Sequence, residues 1–304
     1  MSSADQQRFI TMARDYDRMA PVLVPMYDWL QEEILRLLQV EAMTGCLVDL
    51  GAGSGIFLEK ALARNPELTG VWVDASPAFQ EVAQERLARF GTRVSYLLSL
   101  LEAAWEAQLP GPVQAITSMS AIHHLEHDEK YALYRRCFDC LAPAGWLLNC
   151  DEMQTVSREA YRQSLLFWVR HVEAARHHLP PEEIPAYEQW CAHFARWKAR
   201  NIDNMDAPKH KGDDLHEPFL DQLHWLQEIG FTDVDLFVKY HLWCVIGGRK
   251  GGHTGSDGEA TRESARGFLK QFPGEHSSED FMAEKHAETE AEEERRNDRK
   301  GETV

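Results

Sequence analysis

The feature that most constrains this chain is a short apolar run that carries an acid and passes directly into glycines: Leu47-Val48-Asp49-Leu50-Gly51-Ala52-Gly53-Ser54-Gly55. A strand that gives way to a glycine turn and then a helix lets backbone approach a ligand closely, because glycine removes the Cβ that would stand between them. Strand and helix signals alternate from there. Residues 71–73 read as a strand ending at Asp74, and Ser76-Pro77 opens a helix with a capping residue followed by proline. Strands are predicted over 94–98, 113–117 and 146–149, with a helix over 128–141 closed by the breaker Ala142-Pro143-Ala144-Gly145. Alternation of this kind requires a parallel sheet covered by helices on both faces. At the end, a helix over 218–229 stopped by Gly230 leads into two apolar runs, 231–239 and 241–247. No crossover helix fits between those runs, so they must form an antiparallel hairpin.

The expected fold class is therefore α/β: a Rossmann-like, seven-stranded, mostly parallel sheet with an antiparallel terminal hairpin. Three segments flank or interrupt it. Residues 1–43 are helical in pattern, with Tyr27, Leu30, Ile34, Leu37 and Leu38 on one stripe. Within the main domain, 44–250, the alternation lapses over about 155–215, a helical stretch rich in Trp, His and Arg that reads as an inserted cap. From Gly251 to Val304 aliphatic residues nearly vanish and charge dominates, so this tail is expected to be disordered.

Composition removes several classes of function. A net charge of −17 argues against a long nucleic acid as the main partner, since phosphate binding needs a positive surface. No apolar run reaches the ~18–20 residues that span a bilayer, so no membrane partner is expected. The first residues, Met1-Ser2-Ser3-Ala4-Asp5-Gln6-Gln7, have neither the basic nor the apolar region of a signal peptide, and a cytoplasmic location is expected. Cys46, Cys137, Cys140, Cys150, Cys191 and Cys244 lie in apolar segments and read as buried thiols. Cys137 and Cys140 form a C-x-x-C, but inside a helical pattern and without a second pair of ligands, which favours core packing over a metal.

The glycine turn itself narrows the cofactor. A dinucleotide fingerprint, G-x-G-x-x-G, would place glycine at position 56, where this chain has Ile56. The pattern here is G-x-G-x-G with Asp49 two residues ahead, which suits a cofactor without pyrophosphate whose cationic portion needs acceptors and a nearby negative charge. Asp74, at the end of the second strand, can accept from two ribose hydroxyls.

These residues resemble the class I S-adenosylmethionine-dependent methyltransferases. The run from Asp49 to Gly55 is similar to their first motif, and Asp74 to their ribose-binding acid. Ala121-Ile122-His123-His124-Leu125, followed by Asp128, resembles the loop after their fourth strand. Leu141-Ala142-Pro143-Ala144-Gly145-Trp146 is similar to the turn before their fifth, and Leu226–Val234 to the helix–Gly–Phe approach to their final hairpin. The likeness covers about 44–150 and 217–249.

The resemblance implies S-adenosylmethionine as cofactor. The implied contacts are Asp49, Gly51, Ala52, Gly53, Gly55, Asp74, Ala75, Ser118 and, from the N-terminal helices acting as a lid, Tyr16. Family members usually carry an acid after the third strand that binds adenine, whereas this chain reads Ser99-Leu100-Leu101-Glu102. Adenine is then expected to meet Ser99 and the backbone near Leu100, or Glu102; a simple helix cap at Ser99 is the competing reading.

Methyl transfer needs alignment of nucleophile, carbon and sulfur, and a base only if the nucleophile must lose a proton. His123 and His124 are the candidate catalytic residues. His123 resembles the base of plant-type small-molecule O-methyltransferases; a hydrogen-bonded loop histidine at the cofactor's edge is the alternative. Asp151 and Glu152 with a histidine such as His216 could make an oxygen-rich metal site, but neighbouring carboxylates more often orient substrate or cap a helix, and no metal is expected. Trp168, Arg170, His171, Trp190, Trp197 and Arg200 of the cap would line an acceptor pocket or simply bury a helix face.

The expected function is thus O- or N-methylation of a small-molecule acceptor. The first alternative is an enzyme of tRNA modification, since the N-terminal half is also similar to carboxy-S-adenosylmethionine synthase; the second is a non-catalytic cofactor-binding protein. Oligomeric state is not legible.

Overall fold

The computed structural model describes residues 3–252 apart from Gly212; most of the predicted tail, from residue 253 on, lies outside the described residues. Two helices come first, α1 (Ser3–Leu23) and α2 (Tyr27–Leu37). The sheet-forming part then runs β1 (Cys46–Leu50), α3 (Ile56–Arg64), β2 (Thr69–Asp74), α4 (Pro77–Leu87), β3 (Val94–Leu98), β4 (Val113–Met119), α5 (His127–Cys140) and β5 (Leu141–Glu152). Helices α6 (Arg158–Ala175) and α7 (Ile184–Lys198) follow, and α8 (Phe219–Ile229), β6 (Phe231–Tyr240) and β7 (Trp243–Lys250) close the domain. The seven strands form one sheet in the order β3-β2-β1-β4-β5-β7-β6. β1 to β5 pair in parallel, whereas β7 runs antiparallel to both β5 and β6.

Burial on both faces explains why β1 is apolar apart from Asp49. Successive strand side chains point to opposite faces, so Leu47 joins a core with Trp72, Ala115 and Leu148 on one side. Val48 joins Val71, Ile116 and Leu147 on the other. The first core is covered by α2, α3 and α6 through residues such as Leu30, Phe57, Leu58 and Leu165. The second is covered by α5 and α8 through Leu133, Tyr134, Trp225 and Leu226. Cys137 belongs to that second core, on the inner face of α5. Among the described residues no helix is long and apolar enough to cross a membrane.

The largest departures from the predicted bounds are in β4 and β5. β4 runs on to Met119 rather than ending at 117. The breaker Ala142–Gly145 does not precede β5 but lies within it, as an irregularity where the pairing with β4 shifts between Val113 and Ala115. At its other end β5 continues through Asp151 and Glu152, which pair with Cys244 and Trp243 of β7. Two acids in succession obscure a strand in the sequence; backbone pairing to β7 holds them in one. Asp151 and Glu152 are thus buried strand residues rather than a loop after the strand.

Candidate active site

At the carboxyl ends of β1, β2 and β4 lies a cleft of about 580 Å³, the place where open α/β sheets take their ligands. Its floor is the glycine turn. Gly51 has φ +65°, and a Cβ there would stand 2.2 Å from the Ala121 Cβ, so this glycine answers to the loop after β4 as much as to a ligand. Gly53 has φ +52°, and an added Cβ would meet nothing closer than the Gly51 carbonyl at 4.0 Å, facing the open cleft. Gly55, predicted as a ligand contact, does not line the cleft; a Cβ there would be 2.9 Å from Leu87 and 3.3 Å from Ala83, and its role is to let α3 pack on α4. Ala52, Ala75 and Ile56 do line it.

Two carboxylates dominate the cleft's electrostatics. Asp49 is buried, and its Oδ1 accepts from Thr117 Oγ1 at 3.0 Å. Burial pushes its pKa up to about 7; the Thr117 bond pulls down and the negative Asp74 adds to the rise. Asp74 accepts from Gly53 N at 2.9 Å through Oδ2 and from Ser76 N at 2.8 Å through Oδ1. Burial raises its pKa while those backbone bonds oppose the rise. The carboxylate keeps acceptor capacity for a further donor. Trp72 Nε1, donating to the Gly53 carbonyl at 2.8 Å, helps fix the turn.

The walls come from five segments distant in sequence. Tyr16 of α1 meets Phe79 of α4 edge-on, with centroids 5.6 Å apart, and Trp190 of α7 at 5.4 Å. Asp17 anchors this part of α1 by accepting from Ser54 Oγ at 2.5 Å and by pairing with Arg86. From α2, Tyr27 and Gln31 enter the lining; Gln31 is buried and its Oε1 has no hydrogen-bond partner. After β4, Met119, Ser120, Ala121 and His124 complete the lining. Ser120 adopts φ +51°, uncommon for a residue with a side chain, and its Oγ is likewise unpartnered.

Gln31, Phe79, Met119 and Ser120 were not foreseen. Gln31 carried a signal nonetheless: it is a polar residue on the apolar stripe of Tyr27, Leu30 and Ile34. The other three carry no local signature.

Three other predicted positions lie elsewhere. Ser118 is fully buried within the sheet, its Oγ donating to the Leu50 carbonyl at 2.9 Å. Ser99 donates its N–H to the Asp74 carbonyl at 2.9 Å and its Oγ to Leu100 O at 3.1 Å. Neither Ser99 nor Leu100 is in the lining of the cleft. Leu98, which pairs with Asp74 across the sheet, and Leu100 are nonetheless exposed apolar side chains at that edge.

The two histidines divide. His124 lines the cleft. His123 is buried behind it, with ring centroids 4.0 Å apart. Asp151 holds His123 twice, through the backbone N–H at 2.9 Å and through Nδ1 at 2.6 Å. The opposite nitrogen, Nε2, faces Asp214 at 3.7 Å. Burial works against a charge on this imidazole, yet Asp151, Glu152 and Asp214 outweigh it and raise its pKa to about 9.

A seven-stranded sheet with an antiparallel last strand, a glycine turn after β1 and an acid ending β2 together make the Rossmann-like fold seen in class I methyltransferases. Residues 48–147 match the family model described as "Methyltransferase domain". The chain is 28% identical over 114 residues to the ubiquinone biosynthesis O-methyltransferase of Chromobacterium violaceum, a match covering 38% of this chain and 45% of the relative. It is 41% identical over 69 residues to the ribosomal RNA small subunit methyltransferase H of Treponema denticola, covering 23% of this chain and 22% of that one. The chain thus spans less than half the length of these curated relatives. Among solved structures, an O-methyltransferase family protein from Burkholderia thailandensis has a TM-score of 0.50 at 17% identity, covering 74% of this chain and 57% of that one. A likeness at that identity is one of fold.

Proposed function

We propose that this chain binds S-adenosylmethionine in the cleft and transfers its methyl group to an oxygen or nitrogen of a small molecule. The observation that carries the reading is the convergence of Asp49, Asp74, the Gly51–Gly53 backbone and the unpartnered Gln31 Oε1 on one cleft.

The residues present fit the cofactor. Asp49 and Gln31 Oε1 are acceptors for a cationic amino-acid portion, Gly53 leaves space for it, and Asp74 offers lone pairs to a ribose diol. The exposed pair Leu98 and Leu100 supplies an apolar edge for a purine, with Ser99 between them. When bound, the cofactor supplies a methyl carbon already activated by its sulfonium. What remains for the chain is alignment and exclusion of water. Tyr16, Phe79 and Trp190 serve that purpose as a lid and cap over the cleft, and His124 is the imidazole an acceptor would meet. His123, with Nε2 turned to Asp214, is assigned no proton transfer in this reading.

A cleft walled by aromatic side chains suits a small acceptor, and the charge of −17 disfavours a phosphate-rich polymer. The test is a screen for transfer of a labelled methyl group with small phenols, amines and acids in one arm and bulk tRNA in the other. Label entering a small acceptor is the expected result. Label confined to tRNA would replace the small-molecule reading with the RNA-modification one.

A further inference from the structure

Beside the cleft, three imidazoles and three carboxylates converge from segments far apart in the sequence: His123 and His124 after β4, Asp151 and Glu152 at the end of β5, and Asp214 and His216 before α8. We propose that Asp214, Glu152, His123, His124 and His216 form a binding site for one first-row divalent cation such as Zn²⁺. This departs from the expectation, from sequence, that the chain holds no metal, and it does not depend on the methyl-transfer reading.

The donor atoms are already gathered. Those of His123, His124 and Asp214 lie within 4.8 Å of one another, and so do those of Glu152, Asp214 and His216, with Asp214 shared. Asp214 Oδ1 stands 3.5 Å from His124 Nδ1 and 3.7 Å from His123 Nε2. Glu152 Oε2 stands 3.1 Å from His216 Nε2. Donors bonded at about 2.1 Å around one cation are roughly 3.0–3.4 Å apart at octahedral or tetrahedral angles, so small side-chain shifts would complete the sphere.

Two imidazoles are held from behind. His123 Nδ1 is bonded to Asp151 Oδ1 at 2.6 Å and His216 Nδ1 to Tyr161 Oη at 2.7 Å. Each bond leaves Nε2 turned to the carboxylates, as when an outer partner sets the orientation of a metal-ligating histidine. The carboxylates, for their part, are buried, and their ion-pair partners are these same histidines: His123 and His124 for Asp214, His216 for Glu152. A mixed set of imidazole and carboxylate donors favours Zn²⁺, Mn²⁺ or Fe²⁺ over Mg²⁺ or Ca²⁺, which prefer oxygen alone.

The sequence could suggest only part of this. Asp151, Glu152 and His216 stood out as acids and a histidine, but nothing local marks Asp214 as their neighbour. Asp151, moreover, holds His123 in place rather than joining the site.

The experiment uses the full chain without a histidine tag, stripped with a chelator and titrated with Zn²⁺ against a chromophoric competitor. One Zn²⁺ per chain is expected, with far weaker binding of Mg²⁺. Asp214→Asn and His216→Ala should each weaken Zn²⁺ binding more than about a hundredfold, and Tyr161→Phe, which removes only an outer partner, by roughly 10–100-fold. His224→Ala, at an exposed histidine on α8, should leave binding unchanged. Circular dichroism of the near-isosteric Asp214→Asn chain checks that it is folded. Overturning results are wild-type binding no tighter than that of Asp214→Asn, or an equal loss in His224→Ala, which would assign the metal to surface histidines.

Discussion

The two halves of the cleft are built in opposite ways. The half proposed for the cofactor comes mainly from consecutive β–turn–α units, so its residues, Gln31 of α2 apart, lie close in sequence: Asp49, Gly51 and Gly53 on one turn, Asp74 at the next strand end. The half proposed for the acceptor comes from segments with no local continuity: Tyr16 on α1, Trp190 on α7, His124 after β4. Backbone geometry dictates the first half, because a tight turn from strand to helix needs particular residues at particular offsets. Packing of distant helices dictates the second, and packing leaves no short motif.

The sharpest way to break this comparison is Gly53→Val. The new side chain would point into the cleft and sit at φ +52°, where a β-branched residue is strained. Binding of S-adenosylhomocysteine should be lost at millimolar concentration while far-ultraviolet circular dichroism remains that of the wild type. Retained binding would mean that the ligand does not approach the turn.

Asp74→Ala should weaken cofactor binding by about 1–3 kcal/mol, or roughly 5–150-fold, the range for losing charge-assisted hydrogen bonds. His124→Ala should do the reverse of that. Turnover with an identified acceptor should fall about tenfold, as for one hydrogen bond of ~1.4 kcal/mol, with cofactor affinity unchanged. Calorimetry and steady-state kinetics on both variants check the separation. An effect of His124→Ala on cofactor affinity as large as that of Asp74→Ala would dissolve the division into halves.

A smaller effect follows from Asp49. Its pKa in the free protein is about 7, raised by burial, and a cationic ligand favours the charged form. Below pH 7 binding must therefore release a proton, and affinity should fall by up to about tenfold per pH unit. Heats of binding in buffers of different ionisation enthalpy measure that proton. The same shift lowers stability as pH rises: between the unfolded pKa, about 3.9, and about 7, the folded state binds more protons than the unfolded. Asp49→Asn should abolish the proton release and flatten this part of the stability profile. Smallest is Gln31→Leu, expected to cost about 1 kcal/mol of cofactor affinity; no change would detach the unpartnered Oε1 from the ligand.

What the sequence made legible follows the same division. The succession of strands and helices could be read because apolar runs, glycine turns and Ser76-Pro77 are local signals, and the hairpin because 231–239 and 241–247 allow no crossover. Position within a motif says nothing of direction: Gly55 faces α4 and Ser118 faces the neighbouring strand. β5 was cut short because Asp151 and Glu152 are charged, although pairing with β7 and contact with histidines keep them buried in the sheet. Asp214 could not be connected to His123 at all, since their proximity depends on how the segment before α8 returns to the sheet.

On this reading the cleft suits S-adenosylmethionine rather than a dinucleotide, and calorimetry on the wild-type chain decides between the two. Ile56 stands in the cleft lining where a dinucleotide turn needs its third glycine, and Asp49 and Asp74 supply negative charge where a pyrophosphate would be repelled. One molecule of S-adenosylmethionine or S-adenosylhomocysteine should bind per chain, with no heat from NAD at the same concentration. Tight binding of NAD, or no binding of either sulfur ligand at millimolar concentration, would contradict the account.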